Sequence, residues 1–155
     1  MNESKNISKL FADLYNGNPW TCIKLSDILD GITADQAASR PIANANTIWQ
    51  LVNHCVGWRE NVLRKLHGED FKSPEDNYLS PIEDTSLNAW NALLDRLKKT
   101  ETEWEDFLKN YDDKLLHDGY KPSKNEFTNY EVIHGILHHD NYHFGQISML
   151  KKLLK

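Results

Sequence analysis

The chain has 155 residues, which suits one domain built around one hydrophobic core. Hydrophobic residues make up 39% and charged residues 26%, a soluble globular balance, and no apolar run reaches the roughly 20 residues needed to cross a bilayer. The formal charge is -5, and the positive residues are scattered apart from Lys98-Lys99 and the Lys151, Lys152, Lys155 tail, which argues against a nucleic-acid binder.

The opening MNESKNISKLF lacks the basic stretch and apolar block of a signal peptide, so a cytoplasmic protein is expected. Residues 4–16 read as a first amphipathic helix, with Ile7, Leu10, Phe11 and Leu14 on one face and Gly17 and Pro19 ending it. Short helices are expected at 22–31 and 33–39, the second opened by Thr33 and Gln36 at capping-box spacing.

A second long helix is predicted over 47–67, opened by Thr47 and Gln50 and stopped by Gly68. Its inward stripe is Ile48, Leu51, Cys55, Trp58, Val62 and Leu66. Residues 69–84 hold two prolines and no period, and read as a loop. A third long helix covers 85–110, with Leu87, Trp90, Leu94, Leu97, Trp104, Phe107 and Leu108 as its apolar stripe. Lys98-Lys99 and the basic tail are read as lying near helix C-termini, where cations favour the dipole.

After a loop at 111–126, the fourth long helix runs over 128–154 from a Thr128–Glu131 capping box. The expected fold is all-α: a single-domain, four-helix up-and-down bundle over 1–155, with extra short helical structure between its first two long helices. The two cysteines, Cys22 and Cys55, form no CxxC pair and are expected to be reduced and buried. Of the five tryptophans, Trp58, Trp90 and Trp104 have core phase. Trp20 and Trp49 do not, and are assigned to a pocket mouth or a dimer contact.

Four of the seven histidines fall in residues 134–143, HGILHHDNYH. On a helix they form two i,i+4 pairs, and either could chelate a metal. Periodicity places His139 and His143 on the arc of Val132, Ile136, Ile147, Leu150 and Leu154, while His134 and His138 face solvent or a partner. Two imidazoles buried without partners would cost about 1–3 kcal/mol each, a cost that a divalent ion removes. His54, mid-helix at the edge of its stripe, is the third candidate ligand; His67 and His117 are poorer ones. Three histidines leave coordination positions open, as a reactive site requires. Cys55 is read as core.

The segment HDNYHFGQI, residues 139–147, resembles the HxxxHxGQI signature of the DinB-like superfamily, including YfiT-type metal-dependent hydrolases. Residues 19–68 are also similar, with a histidine after the helix opening and a tryptophan one turn later. The resemblance implies a four-helix bundle in which His54, His139 and His143 bind a divalent transition metal, zinc or nickel with iron as a further option. Gly145 would permit close helix approach, and Gln146 would support a ligand through a hydrogen bond. Relatives include thiol S-transferases and isomerases using a low-molecular-weight thiol. A small-molecule substrate and a homodimer are implied in the same way. No general base is apparent: Asp140 follows His139 but points roughly 100° away on a helix. The competing reading is a non-catalytic metal-binding or stress-response module.

Overall fold

The computed structural model describes residues 2–70, 72–120 and 127–154. The end of the expected 111–126 loop, residue 71 and Lys155 lie outside the described residues. Six α-helices follow one another: α1 (Glu3–Tyr15), α2 (Leu25–Leu29), α3 (Ala34–Ala38), α4 (Ile48–Leu66), α5 (Leu87–Lys109) and α6 (Asn129–Leu153). A 3₁₀ turn, Asp113–His117, interrupts the connection after α5. No strand occurs among the described residues, so the fold is the expected all-α bundle.

The three expected capping boxes are present. Thr33, Thr47 and Thr128 each accept from the backbone N–H three residues on, and Gln36, Gln50 and Glu131 reach back to the cap. Each box satisfies two of the helix-end donors that would otherwise lack partners. Gly68, at φ +88°, carries the chain out of α4 in a conformation that suits glycine.

The ring order of the long helices is α1–α5–α4–α6: α1 packs on α5 and α6, and α4 packs on the same two. The α1–α4 connection, which carries α2 and α3, and the α5–α6 connection therefore each cross a diagonal of the bundle. The core runs through Ile7, Phe11, Leu51, Val56, Trp90, Leu97, Trp104, Ile133 and Ile147. Phe11 stacks on Trp104 with ring centroids 4.7 Å apart, and the Trp104 indole N–H donates to the Arg59 carbonyl at 3.2 Å. Burying large aromatics with their polar atoms satisfied stabilises such a core.

Several expected positions differ. Leu10, in the middle of α1, and Leu87, the first residue of α5, are exposed. Trp58 is only half-buried, whereas Trp49 is buried against Trp90. Trp20 is exposed and lines a surface hollow with His134 and His138. Cys22 is exposed, on a left-handed backbone at φ 56°, while Cys55 is buried as expected. Lys98 and Lys99 lie in the middle of α5, not at its end. A Cβ on Gly145 would meet no atom of the described residues within 4 Å, so the expected close helix approach is not made among them.

Candidate metal centre

Helix α4 is buried around most of its circumference, since α5 and α6 cover one side and the segment after its own C-terminus covers another. Residues 77–80 run back across α4 as a strap, fastened at nearly every turn. Gln50 donates to the Leu79 carbonyl at 2.8 Å, Asn53 to the Tyr78 carbonyl at 3.0 Å, and Asn61 to the Tyr78 hydroxyl at 2.9 Å. The Trp58 indole N–H donates to the Asn77 side chain at 2.9 Å. Asn77 and Tyr78 both take left-handed backbone angles, φ 57° and 61°. Gly57 makes room for the strap, because a Cβ there would run into the Tyr78 ring.

The strap orients His54. The His54 Nδ1–H donates to the Asn77 carbonyl at 2.6 Å, because a carbonyl can only accept. That bond fixes the tautomer and leaves the Nε2 lone pair facing the bundle. Across the helix interface, His143 Nδ1 lies 2.7 Å from Gln146 Oε1, which accepts its proton and leaves the second Nε2 free. His139 Nε2 lies 2.9 Å from His54 Nε2. Ring centroids of the three histidines are 4.8, 4.6 and 4.5 Å apart. Two nitrogens bound to one ion at about 2.0–2.1 Å sit roughly 2.9–3.4 Å apart, so the spacing fits a common ion.

His54 is buried, and the His139 side chain keeps 25% of its surface exposed. The cluster therefore opens on one side, with Tyr142 flanking His143. Burial depresses the pKa of His54 and lowers that of His143 to about 4, against the opposing pull of its Gln146 bond. Burial thus favours the neutral form of both rings, the state in which imidazole can bind a metal.

Behind the histidines lies a charged cluster that the sequence did not disclose. Arg59 on α4 is fully buried; its Nε donates to Asp140 Oδ2 at 2.7 Å and its Nη1 to Glu101 Oε2 at 2.8 Å. Burial opposes the charge on Arg59, but the two carboxylates outweigh it and hold its pKa above the usual value. Burial raises the pKa of Glu101 against the pull of Arg59. The only hint in the sequence was an Arg one turn beyond Cys55 and an Asp beside His139.

The structure thus brings together His54, His139 and His143 in a group that could hold a metal ion. A second grouping, Cys55 with His139 and Asp140, uses a thiol whose pKa burial pushes well up and a carboxylate already paired to Arg59. It is the poorer donor set. The His139–His143 pair sits at the edge of the buried stripe rather than within it. That stripe is Ile133, Ile136, Leu137, Asp140, Phe144, Ile147 and Leu150, rotated slightly from the expected arc. Val132 and Leu154 are accordingly only half-buried. His138 is exposed, as expected, while His134 is half-buried against Tyr130.

A helical bundle with three imidazoles converging from two of its long helices defines a class of metal-binding bundle proteins. The sequence profile of the DinB superfamily matches residues 24–147, and the chain belongs to that superfamily. The match spans both halves of the histidine cluster, and the superfamily is metal-binding. Comparison with curated proteins and with solved structures gives no match. No helix among the described residues is long and apolar enough to cross a membrane.

Proposed function

We propose that the protein binds one divalent transition-metal ion through the Nε2 atoms of His54, His139 and His143 and uses it as an enzyme acting on a small molecule. The observation that carries this reading is the 2.9 Å approach of His54 Nε2 and His139 Nε2 beside His143, with Asn77 and Gln146 engaging the opposite ring positions of His54 and His143. Without an ion the spacing suits an N–H···N hydrogen bond from His139 Nε2 to the His54 Nε2 lone pair; an ion bound by both rings would replace that proton and add the third imidazole. Zinc and nickel suit three imidazoles, with iron a further option.

Bound there, a divalent ion would lower the pKa of a thiol or water placed on its open side. The protein's own residues favour a thiol. Asp140, the carboxylate beside a ligand position, is fully buried and paired to Arg59, so it is a poor base for a water on the open side. A low-molecular-weight thiol, with a pKa near about 8.5, needs less help from a base than water does. His54, His139 and His143 fix the reacting position; Tyr142 and Trp58 flank it and supply aromatic surface for the substrate. The reading is S-transfer to an electrophile, with hydrolysis as the outcome if water takes the thiol's place.

The test is metal content and metal affinity of the wild type against His54→Ala, His139→Ala and His143→Ala, followed by conjugation of a cellular thiol to a chloronitrobenzene. The wild type should carry about one ion per chain, and each variant should lose both ion and conjugation. Wild-type protein that neither contains nor takes up a transition metal would refute the proposal. Metal binding with no turnover by any thiol and no hydrolysis would leave a non-catalytic metal-binding module.

A further inference from the structure

Two of the three histidines are oriented by a protein oxygen on Nδ1: the Asn77 carbonyl for His54 and the Gln146 amide for His143. His139 breaks the pattern. Its Nδ1 is buried and has no hydrogen-bond partner. Asp140 Oδ1 is also buried and without a partner, and it lies 3.6 Å from that nitrogen. The distance is too long for a hydrogen bond and short enough that a small ring rotation closes it. Buried polar atoms left without partners cost free energy, so two complementary ones facing each other call for an explanation.

We propose that Asp140 is a positioning residue of the metal centre: its Oδ1 accepts the Nδ1–H of His139 when the ion is bound, turning the His139 Nε2 lone pair onto the ion. The proposal rests on the metal reading above. Arg59 makes it workable. By holding Oδ2 at 2.7 Å, it keeps the carboxylate from swinging towards the ion as a ligand of its own and aims the other oxygen at His139. Glu101 holds the far side of the same guanidinium at 2.8 Å. The result is a chain of contacts from α5 through α4 to α6 that ends on one imidazole. Carboxylates in this relation to a ligating histidine fix its tautomer and orientation, and their loss typically weakens metal binding about 10- to 100-fold.

The experiment uses the full chain and Zn²⁺, with affinity read by competition against a chromophoric chelator and histidine tautomers read by ¹⁵N NMR of the zinc-loaded protein. In the wild type, His139 should appear bound through Nε2 with a proton on Nδ1. Asp140→Asn, which keeps an acceptor but loses the charge, should weaken zinc binding about 10-fold. The combined change Arg59→Met, Asp140→Leu and Glu101→Gln, which removes acceptor and cation together without stranding a buried charge, should weaken it towards about 100-fold. Glu101→Gln disturbs the same buried cluster without touching His139, and should shift affinity less than about threefold. A merely structural role would lower the melting temperature of all three variants and leave zinc affinity unchanged; that result overturns the proposal, as does a wild-type His139 lacking the Nδ1 proton. Wild-type protein that takes no zinc would overturn the metal reading itself, and this proposal with it.

Discussion

Replacing Arg59 by methionine puts the buried cluster to a direct test. Arg59 has no exposed side-chain surface, and its partners Asp140 and Glu101 are 0% and 6% exposed. Methionine keeps the aliphatic stem and removes both ion pairs, leaving two carboxylates in the interior with no cation. Breaking a buried pair in this way costs about 3–5 kcal/mol, a large share of the roughly 5–15 kcal/mol that holds a domain together. For a chain of this size, about 2–4 °C of melting temperature accompanies each kcal/mol, so Tm should fall by roughly 6–20 °C. The triple change Arg59→Met, Asp140→Asn, Glu101→Gln should recover most of the loss, because no uncompensated charge then remains buried. Urea unfolding followed by circular dichroism measures both. A single variant within about 1 kcal/mol of wild type, or a triple variant no better than the single, would refute the reasoning.

Three further outcomes follow from the geometry. Gly57→Ala should push the strap off α4 through the Tyr78 ring, costing about 1–3 kcal/mol by urea unfolding and weakening zinc binding because the Asn77 carbonyl leaves His54. Thr128→Ala removes the side-chain half of the α6 cap and should cost about 1 kcal/mol, read by the same unfolding curve. The metal-free protein should lose stability as pH falls from about 6.5 towards about 4. His54 and His143 have folded-state pKa values below their unfolded values, so over that window the unfolded chain binds more protons. Unfolding free energy measured against pH should therefore rise across the window, and a flat profile would contradict the burial of these rings.

Helix positions were legible in the sequence because their signals are local. Thr33, Thr47 and Thr128 each sit three residues before a side chain that completes a capping box, and each box closes as that spacing implies. His139 and His143 were legible for a similar reason, since one helical turn separates them. His54 needed only the inference that another long helix must face them. Arg59, Asp140 and Glu101 were not legible. Asp140 and Glu101 lie 81 and 42 positions from Arg59, and a charged residue on a helix reads by default as solvated. The strap was equally silent, because residues 77–80 have no period and their conformation depends on Gly57 leaving space and on two left-handed residues held by α4 side chains.

The two features that escaped the sequence act on the same quantity. His54 stands on α4 and its two partners on α6, so the separation of their nitrogens is set by how those helices lie against each other. Arg59 lies on α4 beyond His54, and Asp140 follows His139 on α6; their 2.7 Å pair bridges the interface that the histidines also bridge. On the far side of α4 the strap fixes the rotation of the His54 ring. One contact therefore sets helix separation and the other sets ring direction, and neither depends on an ion being present. A site held in this way spends little of its binding free energy on ordering side chains, which is the condition for tight binding by few ligands. On the proposed reading the buried arginine has a use that a hydrophobic pair lacks: such a pair would hold the helices together as firmly, but would place no oxygen beside His139.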